Sequence, residues 1–78
     1  MKALAENLFI LRKQRKLSRE AVARKLEISA MTYQRYEKNL RDPTAPRLVE
    51  LAKLFDVTID QLVGLAPLPD SAGESSEG

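Results

Sequence analysis

The chain has 78 residues, with no cysteine and no histidine, and its 13 lysine and arginine residues outnumber its 11 acidic ones. A chain of this length forms one domain at most and buries only about 60% of the surface that its unfolded form exposes. The missing residue types exclude disulfides, thiolate metal sites and the commonest general base, so we expect no enzyme, no metal and no cofactor.

The positive charge is concentrated in the middle of the chain. Residues 66–78 contain Asp70, Glu74 and Glu77 but no cation, so residues 1–65 carry 13 basic against 8 acidic side chains. Ten of the basic residues lie between positions 12 and 41, where only three acidic residues occur. This distribution suits a polyanionic partner, although solvated helix faces rich in lysine and arginine are equally common.

Helical spacing of leucines predicts a first helix from Ala3 to Arg15, with Phe9 and Ile10 off its apolar stripe. The apolar start has no small-residue cleavage site, and no apolar run approaches the roughly 20 residues that span a bilayer. We therefore expect a soluble, intracellular protein without a membrane segment.

Serines predict the starts of the next two helices. Ser18 is a good N-cap for a second helix over about residues 19–26, and Ser29 caps a third helix that extends to Lys38. Only Glu27 and Ile28 lie between these helices. Two short helices joined by so tight a turn cross at a steep angle.

The third helix has two different faces. At about 100° per residue, Tyr33, Tyr36 and Glu37 share one arc, which should face the core. The opposite arc mixes small, apolar, amide and cationic side chains: Ala30, Met31, Gln34, Arg35 and Lys38. A glutamate on the core side and such a mixture outside are unusual for a helix that only covers a hydrophobic interior.

The rest of the chain predicts a loop, two more helices and a tail. Residues 39–43 read as a loop, Pro46 fits the first turn of a fourth helix that runs to Phe55, and Thr58 caps a fifth helix ended by Gly64. No strand pattern occurs, so the expected fold is all-α, with five helices in residues 1–65. Residues 66–78 should form a disordered acidic tail.

These segments together resemble the Cro/phage-repressor type of helix-turn-helix domain, found in xenobiotic-response-element-like transcriptional regulators. The resemblance covers about residues 6–65 and is carried by LSREAVARKL (17–26), EIS (27–29), TYQRYE (32–37), Pro43 and LAKLFDVTIDQL (51–62). It implies a lambda-repressor-like fold whose second helix lies across the DNA backbone and whose third helix enters the major groove.

The resemblance assigns the outer arc of the third helix to base edges. Arg35 has the geometry for a bidentate bond to guanine and Gln34 for a bond to adenine, and Ala30 and Met31 suit a thymine methyl group. Candidate phosphate contacts, from the same resemblance and from the anion preference of helix N-termini, are Arg19, Ser29, Lys38, Asn39 and Arg41. The alternative for both sets is an ordinary solvated surface.

The resemblance also explains Glu37. The family pairs an arginine of the first helix with a glutamate at the end of the recognition helix, and Arg12 and Glu37 occupy those positions. Three positions where the family favours glycine hold Glu27, Asn39 and Asp56 instead. Glutamate in a left-handed backbone costs about 1 kcal/mol relative to glycine, so Glu27 is either strained or its turn is remodelled.

A further departure from the family is apolar. Phe9 and Ile10 stand where polar residues are usual, and with Leu62, Leu65 and Leu68 they are candidates for an exposed patch that closes a dimer or receives a partner. The alternative is that they pack against the tail or a longer fourth helix.

The expected function is a sequence-specific DNA-binding regulator, in family practice usually a repressor. It would bind double-stranded DNA at a palindromic operator as a homodimer and be cytoplasmic and nucleoid-associated in a bacterium or phage-infected cell. The alternatives are a protein-interaction or antitoxin-like module on the same fold, and nonspecific coating of nucleic acid.

Overall fold

The computed structural model describes residues 1–69, which contain five α-helices and no strand. The helices are α1 (Lys2–Gln14), α2 (Arg19–Leu26), α3 (Ala30–Glu37), α4 (Ala45–Phe55) and α5 (Ile59–Val63). Their number and order are as predicted, and their bounds agree within one or two residues. The predicted tail lies outside the described residues from position 70 onward. No helix within residues 1–69 is long and apolar enough to cross a membrane.

Four of the helices begin at a hydroxyl side chain. The oxygen of each of these residues accepts a hydrogen bond from the backbone N–H three positions later: Ser18, Ser29, Thr44 and Thr58. Such caps satisfy donors that have no partner inside the helix. Because this chemistry acts within one turn, it places helix starts from local sequence alone.

All five helix ends share one geometry, in which a residue with positive φ follows the last turn and an apolar residue comes next. In each case the N–H of the apolar residue donates to a carbonyl five positions earlier, for example Leu17 to Arg12 and Ile28 to Ala23. This is the Schellman arrangement, which favours glycine at the positive-φ position. Here these positions hold Lys16, Glu27, Asn39, Asp56 and Gly64.

Glu27 therefore adopts the left-handed conformation that the sequence left open, with φ 60° and ψ 41°. Lys16, with φ 56°, is a further strained position that the comparison with family glycines did not identify. The apolar residue after each of these positions is the signal that marks them in the sequence.

The core lies between the leucine stripe of α1 and the inner faces of the other helices. Leu8, Leu11, Tyr33, Phe55 and Leu62 are among its fully buried side chains. α1 packs against α3 and α5, and α2 packs against α3 and α4. This packing fixes the rotation of α3 about its axis, because the two tyrosines of its inner arc are held in the core.

The end of α5 fits closely against the start of α1. The Asn7 amide donates to the carbonyl oxygens of Gln61 and Leu62 at 3.1 and 3.0 Å. A Cβ atom at Gly64 would lie 2.7 Å from the Ala3 Cβ, so this glycine is required both by its φ of 90° and by the close approach.

Candidate nucleic-acid interface

The outer face of α3 carries two strongly exposed side chains beside two half-buried ones. Met31 is 61% exposed and Arg35 is also exposed, and Arg35 Nη2 donates to Met31 Sδ at 3.4 Å. Gln34 is half-buried, and Ala30 packs partly against the core. Of the four residues expected to read bases, Arg35 and Met31 are therefore more exposed than Gln34 and Ala30.

The inner end of α3 holds a buried ion pair. Arg12 Nε donates to Glu37 Oε2 at 2.6 Å and Arg12 Nη2 donates to Glu37 Oε1 at 3.2 Å, with the two side chains 8% and 2% exposed. Arg12 Nη1 donates to the Leu17 carbonyl at 2.9 Å. The pair is thus bidentate and further hydrogen-bonded, the arrangement in which buried charges are tolerated.

Burial and the charged groups at this end of α3 shift the pKa values of Glu37 and Tyr33. Burial acts to raise the pKa of Glu37, but the hydrogen bonds from Arg12 and the charges of Arg12 and Arg19 outweigh it and hold that pKa below its usual range. Burial, with the negative charge of Glu37 beside it, raises the pKa of Tyr33. The Tyr33 hydroxyl is buried and has no hydrogen-bond partner of normal geometry among residues 1–69.

Arg19 belongs to the same cluster. Its Nε donates to Glu37 Oε1 at 3.3 Å, while its side chain stays 38% exposed at the start of α2. Its two terminal nitrogens make no hydrogen bond within the described residues. Glu37 therefore engages the Arg19 Nε and leaves the two terminal nitrogens of that guanidinium available to an anion.

The other predicted phosphate contacts differ in availability. Lys38 and Arg41 are exposed and form no salt bridge within residues 1–69. Ser29 is exposed but its hydroxyl is engaged at the α3 N-terminus with the backbone and hydroxyl of Thr32. The Asn39 side-chain oxygen accepts a hydrogen bond from the Met1 amino group at 2.8 Å.

The apolar patch expected from the sequence is not one surface. Leu62 is fully buried, so its assignment to an exposed patch is wrong, because the inner face of α5 packs into the core against α1. Leu68 is half-buried and packs against the same core. Phe9, Ile10 and Leu65 are exposed, and only the first two line a common groove with α2 and α3 residues.

Two arginines have structural contacts that sequence reasoning did not assign. Arg15 Nη2 donates to the Phe55 carbonyl at 2.6 Å, and Arg47 Nη1 donates to the Leu26 carbonyl at 3.2 Å and to Glu50 at 2.7 Å. The Arg47–Glu50 pair is a local i,i+3 contact within α4, but no local pattern marks the two bonds to carbonyls, because those carbonyls come from distant helices. Within residues 1–69 no group of three acidic, histidine or cysteine side chains is placed to hold a metal ion.

Known proteins are similar to this chain both in sequence and in the arrangement of their helices. A model of the helix-turn-helix family matches residues 8–62. The chain is 42% identical over 60 residues to the uncharacterized HTH-type transcriptional regulator YobD of Bacillus subtilis (strain 168), covering 77% of this chain and 54% of that protein. It spans 54–62% of the length of the curated relatives it matches.

Solved structures agree with this assignment. A crystal structure of a transcriptional regulator from Listeria innocua superposes with a TM-score of 0.75 at 34% identity, covering 78% of this chain and 57% of that one. The DNA-binding domain of S. venezulae BldD superposes with a TM-score of 0.68 at 33% identity, covering 78% and 91%. The chain belongs to the helix-turn-helix family of Cro/C1 type, and the relatives it matches are named HTH-type transcriptional regulators.

Proposed function

We propose that this domain reads a specific sequence in double-stranded DNA by inserting α3 into the major groove. The observation that carries the proposal is the outward projection of Arg35 and Met31 from a helix whose opposite face is locked in the core. Arg35 recognises a guanine through two hydrogen bonds, and Met31 contacts a thymine methyl group. Gln34 and Ala30, which are less exposed on the same face, contact bases at the edges of the DNA major groove.

Backbone contacts position α3 on the duplex. Arg19 meets a phosphate with its free edge, Lys38 and Arg41 meet the next phosphates along the strand, and Ser29 and Asn39 support these contacts through the local backbone. These contacts set affinity and its salt dependence, whereas the outer face of α3 sets sequence preference.

We further propose that two copies act as a homodimer on a palindromic operator and repress transcription. The family resemblance supports this reading, since paired recognition helices need half-sites about one DNA turn apart. The DNA-binding unit comprises residues 1–65, the acidic stretch 66–78 follows it in the sequence, and the protein acts in the cytoplasm at the nucleoid.

Selection from a randomised DNA duplex pool at near-physiological salt tests this function. We expect an enriched inverted repeat with half-site centres about 10 bp apart, and loss of preference at one base pair when Arg35→Ala is used. Lys53→Ala is the matched control, because Lys53 is an exposed cation on α4 outside the proposed interface. Binding that vanishes steeply with salt and enriches no sequence would show nonspecific coating instead.

A further inference from the structure

An apolar groove lies on the outer side of α1, beside the proposed DNA-binding face. Its volume is about 420 Å³, and its apolar lining comes from Ala5, Phe9 and Ile10. Arg19 and Lys38, from α2 and the end of α3, also line it. Phe9 and Ile10 remain 45% and 40% exposed. We call this feature the α1 groove.

The α1 groove is positively charged. Besides Arg19 and Lys38, the Arg12 Cζ lies 5.6 Å and the Lys13 Nζ 5.9 Å from the centre of the Phe9 ring. Arg12 is buried and paired with Glu37, so these two charges offset each other, and the accessible cations Lys13, Arg19 and Lys38 face one exposed carboxylate of the lining, Glu6. The groove thus combines an apolar lining with an excess of two positive charges.

We propose that the α1 groove docks a protein segment that carries one large apolar side chain between acidic residues. An apolar anchor covers the exposed surfaces of Phe9 and Ile10, and flanking carboxylates meet Lys13, Arg19 and Lys38. A DNA backbone satisfies the cations but leaves the apolar lining in water, so charge alone does not account for the groove.

Two occupants from this same chain fit less well. Residues 70–78 are acidic, but Ala72 is their one apolar side chain, so they offer no large anchor. A second copy that met groove to groove would place Lys13, Arg19 and Lys38 against the same three cations, and like-charge contacts of this kind cost several kcal/mol. A separate acidic, apolar segment is the occupant that matches both the lining and the charge.

Docking at this place regulates DNA binding. Arg19 and Lys38 line the α1 groove and are also proposed phosphate contacts, so a docked segment and DNA compete for the same two cations. This competition rests on the proposed function, whereas docking itself does not.

Selection from a phage-displayed library of random twelve-residue peptides, with the folded chain as bait, tests the docking. We expect enrichment of peptides that place leucine, isoleucine, phenylalanine or tryptophan next to aspartate and glutamate. A synthetic copy of an enriched peptide should bind the double variant Phe9→Ser/Ile10→Ser at least about tenfold more weakly, a loss of about 1.4 kcal/mol. Thermal melting establishes that each variant is folded.

Leu65→Ser is the matched control, because Leu65 is 78% exposed and does not line the α1 groove. Equal weakening by this control, enrichment of peptides without acidic residues, or no enrichment at all would overturn the proposal. If the double variant weakens DNA binding when no peptide is present, the groove belongs to the DNA interface and the proposal is also overturned.

Titration of the enriched peptide against the selected operator tests the competition. We expect saturating operator to lower the apparent peptide affinity at least about fivefold, and unchanged affinity would refute the shared use of Arg19 and Lys38. If the duplex pool yields no operator, the proposed DNA function fails while the peptide selection still decides whether the groove docks a protein segment.

Discussion

Arg12 and Arg35 hold the same guanidinium group in two opposite environments around α3. The Arg12 side chain is 8% exposed and bonds to both oxygens of Glu37 and to a carbonyl. Arg35 is exposed, and its hydrogen bond within residues 1–69 is a long one to the Met31 sulfur. Location relative to the core, and not residue type, therefore decides which cations hold the fold and which remain exposed to a partner.

The largest effect on stability is expected from breaking the buried Arg12–Glu37 pair. Glu37→Gln leaves the Arg12 charge buried without its counter-ion, so we expect the free energy of unfolding to fall by about 3–5 kcal/mol. Chemical denaturation measures this change. The matched control is Glu50→Gln, which removes the more exposed Arg47–Glu50 pair and should cost no more than about 1 kcal/mol. Equal losses in the two variants would mean that the buried pair has no special role.

The same pair should make stability depend on pH. Because the folded pKa of Glu37 is lowered, its contribution is fully present above the unfolded value of about 4.3 and is lost as pH falls through the folded pKa. The difference in unfolding free energy between the wild type and Glu37→Gln should therefore shrink below about pH 4. Unfolding curves recorded from pH 7 down to pH 3 test this, and a difference that grows on acidification contradicts it.

Substitution of the exposed Arg35 should affect DNA binding and not folding. We expect Arg35→Ala to weaken binding to the selected operator by about 1–3 kcal/mol and to relax preference at one base pair. Its melting temperature should stay close to that of the wild type, since the side chain is exposed and its hydrogen bond within residues 1–69 is the long one to Met31. Uniform weakening on every sequence, measured by fluorescence anisotropy, would make Arg35 a phosphate contact instead.

The smallest effect is expected at the turn between α2 and α3. Glu27→Gly should stabilise the protein by up to about 1 kcal/mol, because glycine adopts a φ of 60° without a Cβ clash. Glu27→Ala removes the charge but keeps the Cβ, so it should give no such gain. A lower melting temperature for Glu27→Gly would show that the glutamate side chain contributes more than its backbone costs.

Much of the site was predictable because the resemblance placed it residue by residue. The outer position of Arg35 follows from helical spacing against Tyr33 and Tyr36, and the pairing of Arg12 with Glu37 follows from the family pattern. The hydrogen bond from Arg19 to Glu37 was not predictable, since it depends on how close the start of α2 comes to the end of α3. The predicted apolar patch wrongly included Leu62, because a helix as short as α5 has too few residues to distinguish its inner face from its outer face.

The number, order and approximate bounds of the helices follow from short stretches of the sequence. Caps such as Ser18 and Thr58 and the leucine spacing of α1 act within a few residues, so local pattern is enough. Which cations remain available depends instead on tertiary packing: Arg15 and Arg47 bond to carbonyls that lie 40 and 21 residues away in the chain. The physical reason is that a long cationic side chain takes whichever acceptor the packing of distant helices brings within reach.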